Sequence, residues 1–379
     1  MDDLYLGSIY EDVDVDGVKK RLRQGFTTGT CAAAATQGAL WLLAGQPLPA
    51  DLTVTLPIGK RAHLPVYSAS IQGEHALCTI QKDGGDDPDV THGALITVTV
   101  QGNSLPGIVL DGGEGVGRVT KPGLGLRLGA PAINRIPQKM ILHEAQQMLE
   151  TVFDTSWFSS YAGLKISVAV EHGEDIAQNT CNPRLGIVGG ISILGTTGLV
   201  RPYSLSSWKA SVVLATKVAC ENHDQVVLVP GSRSKQWADQ YFTSFPSESI
   251  VEIGRFLGHA LHVINIRPTV TRVIFAAMPG KLTKVAQGAM DLHAYESSVD
   301  LTWLLNLARD SGVKSSVMED MQHLTTAGGI VNRARHYPRF LKQLTLSARN
   351  QILTKLRDGV VVDVYLLDAQ GHILSSSVS

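Results

Sequence analysis

No stretch of this 379-residue chain approaches the run of about 20 apolar residues that a membrane-spanning helix needs. The N-terminal MDDLYLGSIYEDVDVDG is acidic where a secretory signal would need a basic flank. A cytoplasmic protein that neither enters nor crosses a membrane is therefore expected. An excess of one charge is also missing: 33 basic and 34 acidic side chains leave a net charge of -1. Without a long-range positive field, nucleic acid and anionic lipid are poor partners, and any bound anion must meet local donors. The four cysteines, Cys31, Cys78, Cys181 and Cys220, form neither a C-x-x-C pair nor a zinc spacing. They read as reduced, buried core residues rather than a disulfide framework. His259 and His262 lie three apart in a helical pattern, but no third ligand accompanies them, so no metal site is expected. No G-x-G-x-x-G follows the first strand of a βαβ unit with an acidic residue about 20 positions on, which argues against a dinucleotide-dependent dehydrogenase.

The length favours two domains. After the basic stretch Lys19 to Arg23, the sequence GFTTGT leads into an alanine-rich run from Cys31 to Ala44, stopped by Gly45 and Pro47, which reads as loop, helix and stop. Short β-branched or alternating segments follow at Thr53 to Leu56, His63 to Ile71, His75 to Gln81, Leu95 to Val100 and Gly107 to Leu110. Ile136 to Phe153 then spaces its apolar residues like one helix face. From about Leu164 the pattern changes to apolar strands, ISVAV, VVLV and VIFAA, separated by helices expected at Leu205 to Cys220, Arg255 to Val263, Lys281 to His293 and Val299 to Ala308. VVVDVYLLDAQGHIL closes the chain as two strands around a turn. The expectation is an α+β N-terminal domain, 1–158, followed by an α/β C-terminal domain, 159–379, with a mostly parallel sheet.

Five segments could carry chemistry. Gly25 to Thr30 opens a helix, where backbone N–H groups and the hydroxyls of Thr27, Thr28 and Thr30 suit a carboxylate or phosphate, or serve as an ordinary helix cap. Lys82 to His92 crowds Asp83, Asp86, Asp87 and Asp89 beside His92, a set able to hold a cation or supply a base, or else a solvated turn. Gly112 to Gly123 combines glycines that let backbone approach a large ligand with Glu114, Arg118, Thr120 and Lys121, or is a mobile structural loop. Asn182 to Gly198 is nearly uncharged and glycine-rich, as a loop receiving a nucleoside would be, or as domain packing would require. Pro279-Gly280-Lys281-Leu282 follows an apolar strand, where ligands bind in α/β sheets or where a plain strand-to-helix turn falls.

Taken in order, GFTTGTCAAAA, KDGGDDPDVTHG, GGEGVGRVTKPGLG, PAINRIP and NPRLGIVGGISILGTTGLV resemble the cobalt-precorrin-5B C(1)-methyltransferase family. The resemblance is strong from Arg21 to Ser204 and continues through VLVPG and PGKLTKVAQG. It implies methylation of carbon 1 of a cobalt-containing contracted tetrapyrrole by S-adenosyl-L-methionine, giving cobalt-precorrin-6A, in anaerobic cobalamin synthesis. Cobalt then arrives only as part of the substrate. On this reading Thr27, Thr28, Thr30, Glu114, Arg118, Thr120 and Lys121 bind substrate. Gly189, Gly190, Gly195, Thr196, Thr197, Gly198, Gly280 and Lys281 line the cofactor, and Asp83, Asp86, Asp87 and His92 orient the ring or take up a proton. The first domain would hold substrate, and the second S-adenosylmethionine and an inter-domain site. Self-association and transient contact with other enzymes of the pathway are compatible with this reading. The chain departs from the family pattern at Met278-Pro279, at Leu292-His293-Ala294 and at Arg255, where the family usually has His-Pro, Thr-His-Ser and Asn. These departures leave, as an alternative, a tetrapyrrole-binding homologue that is non-catalytic or altered in specificity.

Overall fold

The computed structural model describes residues 3–5, 7–15, 18–153, 161–293 and 298–378. It divides into two compact units, Met1–Ser204 and Leu205–Ser379. The expected boundary at 158/159 lies outside the described residues, whereas the two units part after Ser204. The strand Gly163–Val170, read as the first of the parallel domain, is a central strand of the first unit. It pairs antiparallel with Leu95–Asn103 and parallel with Gly107–Gly112. An apolar strand carries no label for the sheet it will join.

The first unit contains a five-stranded sheet ordered Gly107–Gly112, Gly163–Val170, Leu95–Asn103, His75–Gln81 and Ser68–Gln72. Alternation puts Cys78, Ile80, Ile96, Val98, Val100, Leu164, Ile166 and Val168 into its core. The helices Thr28–Leu43 and Arg135–Thr151 pack against each other, and the first also against the sheet. Thr28–Leu43 is buried nearly all round, which its alanines allow, since Ala32 to Ala35 and Ala39 are fully buried and let neighbouring backbone come close. A smaller sheet joins Asp3–Tyr5, Arg61–Pro65 and Asp51–Thr55. The acidic start and the basic stretch form a hairpin, Tyr10–Val15 with Val18–Arg23, that places Asp12 opposite Arg21 and Asp14 opposite Lys19.

Burial explains the cysteines in part. Cys31, Cys78 and Cys220 are buried, and loss of solvent pushes each thiol up to about 12, leaving them unreactive. Cys181 differs from the expectation in being exposed.

The second unit is built on the strand order Ile250–Glu252, Gln225–Val229, Arg272–Ala277, Val361–Leu367, Ile373–Ser377. The first four run parallel and the last returns antiparallel. Both faces of the sheet are covered, which is why its strands read as continuous apolar runs. Val226, Leu228, Val273, Phe275, Val362 and Val364 join the larger core with residues of the helices Leu205–Asn222, Leu257–Asn265, Pro279–Ala286 and Pro338–Leu353. Val227, Val229, Ile274 and Ala276 meet Trp237 and Ala238 of the helix Ser232–Tyr241 on the other face. The chain leaves Gln225–Val229 for Ile250–Glu252 on one side and then crosses to Arg272–Ala277 on the other. That reversal is a topological switch point, and the crevice beyond the carboxyl ends of those strands is where such sheets bind ligands.

Candidate functional site

The acidic turn and the GFTTGT segment, far apart in sequence, come together. The Phe26 N–H donates to the Asp83 carbonyl at 2.8 Å, and the Asp86 N–H to the Arg23 carbonyl at 2.9 Å. Gly25 and Gly85 lie backbone to backbone at this crossing, where a side chain on either would overlap the opposing main chain.

Within the turn the carboxylates differ sharply. Arg23 donates through both terminal nitrogens to Asp83, the Nη2 to Oδ1 bond measuring 3.0 Å, and the Gly85 N–H adds a bond at 2.8 Å. Burial opposes ionisation of Asp83, but these bonds and the Arg23 charge outweigh it and hold the carboxyl below its usual range. Asp89 is treated alike: burial opposes its charge, while the nearly inaccessible Lys82 ammonium at 2.6 Å and the Thr91 hydroxyl and N–H hold it ionised. Asp86 accepts the Arg23 N–H at 2.7 Å. Its exchange for asparagine can keep that acceptor and removes the charge that faces Arg23.

Asp87 stands apart. Among the described residues its Oδ1 accepts a backbone N–H, from Tyr203 at 2.9 Å, and burial, aided by the nearby Asp89 charge, raises its pKa. His92 Nδ1 accepts the Gly84 N–H at 3.0 Å, so the neutral ring carries its proton on Nε2. The Nδ1 also lies 3.6 Å from Asp83 Oδ1, a pairing that would require protonation of that nitrogen. The side chain is about half exposed.

The threonines are placed differently from the expectation. Thr27 caps the helix by accepting the Thr30 N–H at 3.3 Å. Thr28 exchanges hydrogen bonds with the Ser192 and Leu194 backbone, and the Thr30 hydroxyl donates to the Gly198 carbonyl at 2.7 Å. All three are buried. The Thr28 and Thr30 hydroxyls are committed to the glycine-rich loop and the Thr27 hydroxyl to the helix start, while the Thr27 N–H donates to the Gly198 carbonyl at 3.0 Å, so this helix start is a joint holding 192–198 in place.

The glycine-rich segments likewise serve packing at most positions. Gly115, with φ +72°, sits against the Val170 carbonyl, Gly173 and Gly190 with no room for a side chain. Gly190 pairs with Gly115 in a short parallel ladder, and Gly195 and Gly198 lie against Thr27 and Thr30. Gly189, Thr196 and Glu114 are exposed, and Thr197 bonds its own loop through Leu199. Arg118 donates to Asp111 and to the Gly112 carbonyl, both at 2.7 Å; Thr120 donates to the Gly186 carbonyl at 2.8 Å, and the Lys121 stem covers Gly186. Replacing Gly115 by alanine is expected to destabilise the protein by roughly 3 kcal/mol or more, through backbone strain and the clash with Val170. Thermal unfolding with an unchanged midpoint would refute that role.

In the second unit a cleft of about 370 Å³ opens between Trp208, Gly254, Arg255, Gly280, Lys281, Lys284, Leu292 and His293. It lies at the turns that follow Ile250–Glu252 and Arg272–Ala277, at the crevice beyond the carboxyl ends of the strands. Lys281 donates to the Pro230 carbonyl, and Lys284 to the His293 carbonyl at 2.6 Å. Burial lowers the pKa of both ammonium groups, opposed by Glu252 for Lys281 and by Asp291 for Lys284. Arg255, almost fully buried, binds Asp291 through Nε and Nη2 at 2.8 to 3.0 Å. Gly280 and Lys281 are the expected site residues found here; Trp208, Lys284 and the neighbouring Glu252 were not anticipated. The departures from the family pattern gather here too, since Arg255, Leu292 and His293 line the cleft and Met278 precedes Gly280 by two positions; Ala294 lies outside the described residues. Among the described residues no group of three metal-ligating side chains occurs, and no helix is long and apolar enough to cross a membrane.

The family model CbiD matches residues 15–202, and the model CbiD, C-terminal domain, matches 291–378. A protein of Geobacillus kaustophilus (strain HTA426), named cobalt-precorrin-5B C(1)-methyltransferase, is 40% identical over 363 residues, covering 95% of this chain and 96% of that protein. This chain belongs to the CbiD family. Family members of the same name from Priestia megaterium and Leptospira borgpetersenii serovar Hardjo-bovis (strain JB197) are 38% and 41% identical, over 95% and 81% of this chain and 97% and 82% of those proteins. A CbiD crystal structure from Archaeoglobus fulgidus, titled a cobalamin biosynthesis protein, is 26% identical and covers 75% of this chain and 84% of its own, with a TM-score of 0.39.

Proposed function

We propose that this chain methylates carbon 1 of cobalt-precorrin-5B with S-adenosylmethionine, giving cobalt-precorrin-6A. The observation that carries the reading is the match of about 40% identity along nearly the whole chain to relatives bearing that name. S-adenosylmethionine supplies, when bound, a methyl group already activated on a sulfonium. The methyl passes without its bonding electrons, so the carbon–sulfur pair stays on S-adenosylhomocysteine and the ring pair forms the new carbon–carbon bond. The ring then sheds a proton to recover its charge. For the protein the main task is positioning, with one base for that proton.

Asp87 is the carboxylate suited to the proton, because Asp83 and Asp89 are held ionised by cations and poorly basic. His92 Nε2–H is a donor for an acetate or propionate oxygen of the ring. Thr27, Thr28 and Thr30 act as positioning residues through the 192–198 loop. Arg118, Lys121, Thr120 and Glu114 remain the residues assigned to the substrate fringe, and Gly280 and Lys281 those assigned to the cofactor. Gly189, Gly190, Gly195, Thr196, Thr197 and Gly198 are reassigned to shaping the first unit, where the packing at Gly190, Gly195 and Gly198 supports that role. The first unit thus serves the substrate and the second the methyl donor, in the cytoplasm, with cobalt entering as part of the ring. Transient contact with neighbouring pathway enzymes and self-association belong to the same reading. A second reading, a tetrapyrrole binder that has lost transfer or changed its specificity, is favoured by the clustering of Arg255, Leu292 and His293 at the cleft.

Incubation with cobalt-precorrin-5B and S-adenosylmethionine is expected to release one S-adenosylhomocysteine per ring consumed. Ring binding with no S-adenosylhomocysteine above background would favour the binder.

A further inference from the structure

The cleft of the second unit has features that specify the kind of molecule it takes. It sits at the switch point of a parallel sheet, yet Pro230-Gly231-Ser232 after the first strand is not the three-glycine turn that cradles a pyrophosphate. An acidic residue nevertheless ends the adjacent strand. Glu252, 21 positions after Gly231, lies in register with Val229 and is exposed; it stands beside the residues that line the cleft, two positions before Gly254, and its charge acts on Lys281. A carboxylate at that place is suited to a pair of ribose hydroxyls. An acid for ribose without a turn for phosphates describes a nucleoside that carries none.

The remaining walls fit the same ligand. Trp208 is about half exposed and rests its indole on Gly254, whose φ of +57° and lack of a side chain allow the contact; Phe256 supports it edge-on at 5.3 Å. An indole face held this way is a stacking surface for a purine. Gly280 has open space where a side chain would project, so the ligand can approach the main chain there. Arg255 is paired with the Asp291 carboxylate, whereas the Lys281 and Lys284 ammonium groups meet backbone carbonyls, of Pro230 and His293, and each has further N–H donors to offer a ligand carboxylate. At about 370 Å³ the cleft is of a size that suits a small molecule.

We propose that this cleft is the seat of the methyl donor, with Glu252 binding the ribose hydroxyls, Trp208 the adenine and Lys281 the carboxylate of the methionine portion. The assignment rests on the S-adenosylmethionine dependence proposed above and adds the site and its parts.

Titration calorimetry on the full chain with two stable probes tests it. S-adenosylhomocysteine contains ribose and carboxylate, whereas 5′-methylthioadenosine contains only the ribose end. Glu252→Gln is expected to weaken both probes by about tenfold or more, the order expected for hydrogen bonds to a charged group. Lys281→Met is expected to weaken S-adenosylhomocysteine to a similar degree and to leave 5′-methylthioadenosine unchanged. Quenching of tryptophan fluorescence by either probe should disappear in Trp208→Phe, a change that preserves an aromatic face on Gly254. If wild-type protein binds S-adenosylhomocysteine and all three variants bind and quench as it does, the site lies elsewhere while the methyl-donor reading stands. If wild-type protein does not bind S-adenosylhomocysteine, both fall together.

Discussion

Replacing Asp87 by asparagine is expected to lower kcat for methyl transfer by about 100-fold or more, within the range for loss of a general base, while the unfolding midpoint stays nearly unchanged. Asparagine keeps the oxygen that accepts the Tyr203 N–H and loses the capacity to take a proton. Asp87 is also the carboxyl in the turn that burial, reinforced by Asp89, shifts upward. A base must be deprotonated to act, so the acid limb of the wild-type pH–rate profile should lie above the range of an ordinary aspartate. The limb should vanish in the variant. Asp83→Asn provides the contrast: it removes a partner of Arg23 and should lower stability as well as activity. Steady-state kinetics from pH 5 to 9 beside thermal unfolding separates the two; a fully active Asp87→Asn would remove Asp87 from the chemistry.

The second large effect concerns Glu144, whose side chain is buried between the two helices of the first unit. Gln37 donates to it at 3.1 Å and bonds both the carbonyl and the N–H of Thr53. Burial raises the Glu144 pKa from 4.5 to about 7, only partly opposed by the Thr55 backbone and Gln37. The folded state therefore holds this proton more tightly than the unfolded chain. Its stabilising effect is complete below pH 4.5 and is lost as pH rises through 7. A shift of this size corresponds to about 3 kcal/mol. Glu144→Gln, which keeps the shape and removes the charge, should then raise the midpoint at pH 8 by roughly 6 to 12 °C and change it little at pH 4.5. Equal midpoints at both pH values would show that the carboxyl is not ionised against burial.

Much of the fold was legible because it follows from period and punctuation. The strand His75–Gln81 falls where alternation places it, and the alanine-rich run became the helix Thr28–Leu43. The expected helix from Lys281 to His293 ends earlier, as Pro279–Ala286, because Gly288 needs a positive φ and the chain turns toward Asp291. His63 to Ile71 is two strands, Arg61–Pro65 and Ser68–Gln72, in different sheets, broken after Pro65. At the site, the meeting of Asp83 with Phe26 is a long-range backbone contact that local pattern does not encode. Glycine density pointed to a ligand in both glycine-rich loops, whereas much of it serves backbone packing around Gly115 and Gly190. Glu252 was the one overlooked residue with a sequence signal, since it stands 21 positions after Gly231; the missing glycine pattern led the reading away from it.

The central claim is methyl transfer to one carbon of one ring. Cobalt-precorrin-5B incubated with the purified protein and S-adenosylmethionine labelled with carbon-13 in its methyl group should gain a single labelled methyl by mass spectrometry, and carbon-13 NMR of the product should place it on carbon 1. Tight binding of the ring with no gain in mass, or a label on any other carbon, would contradict the account.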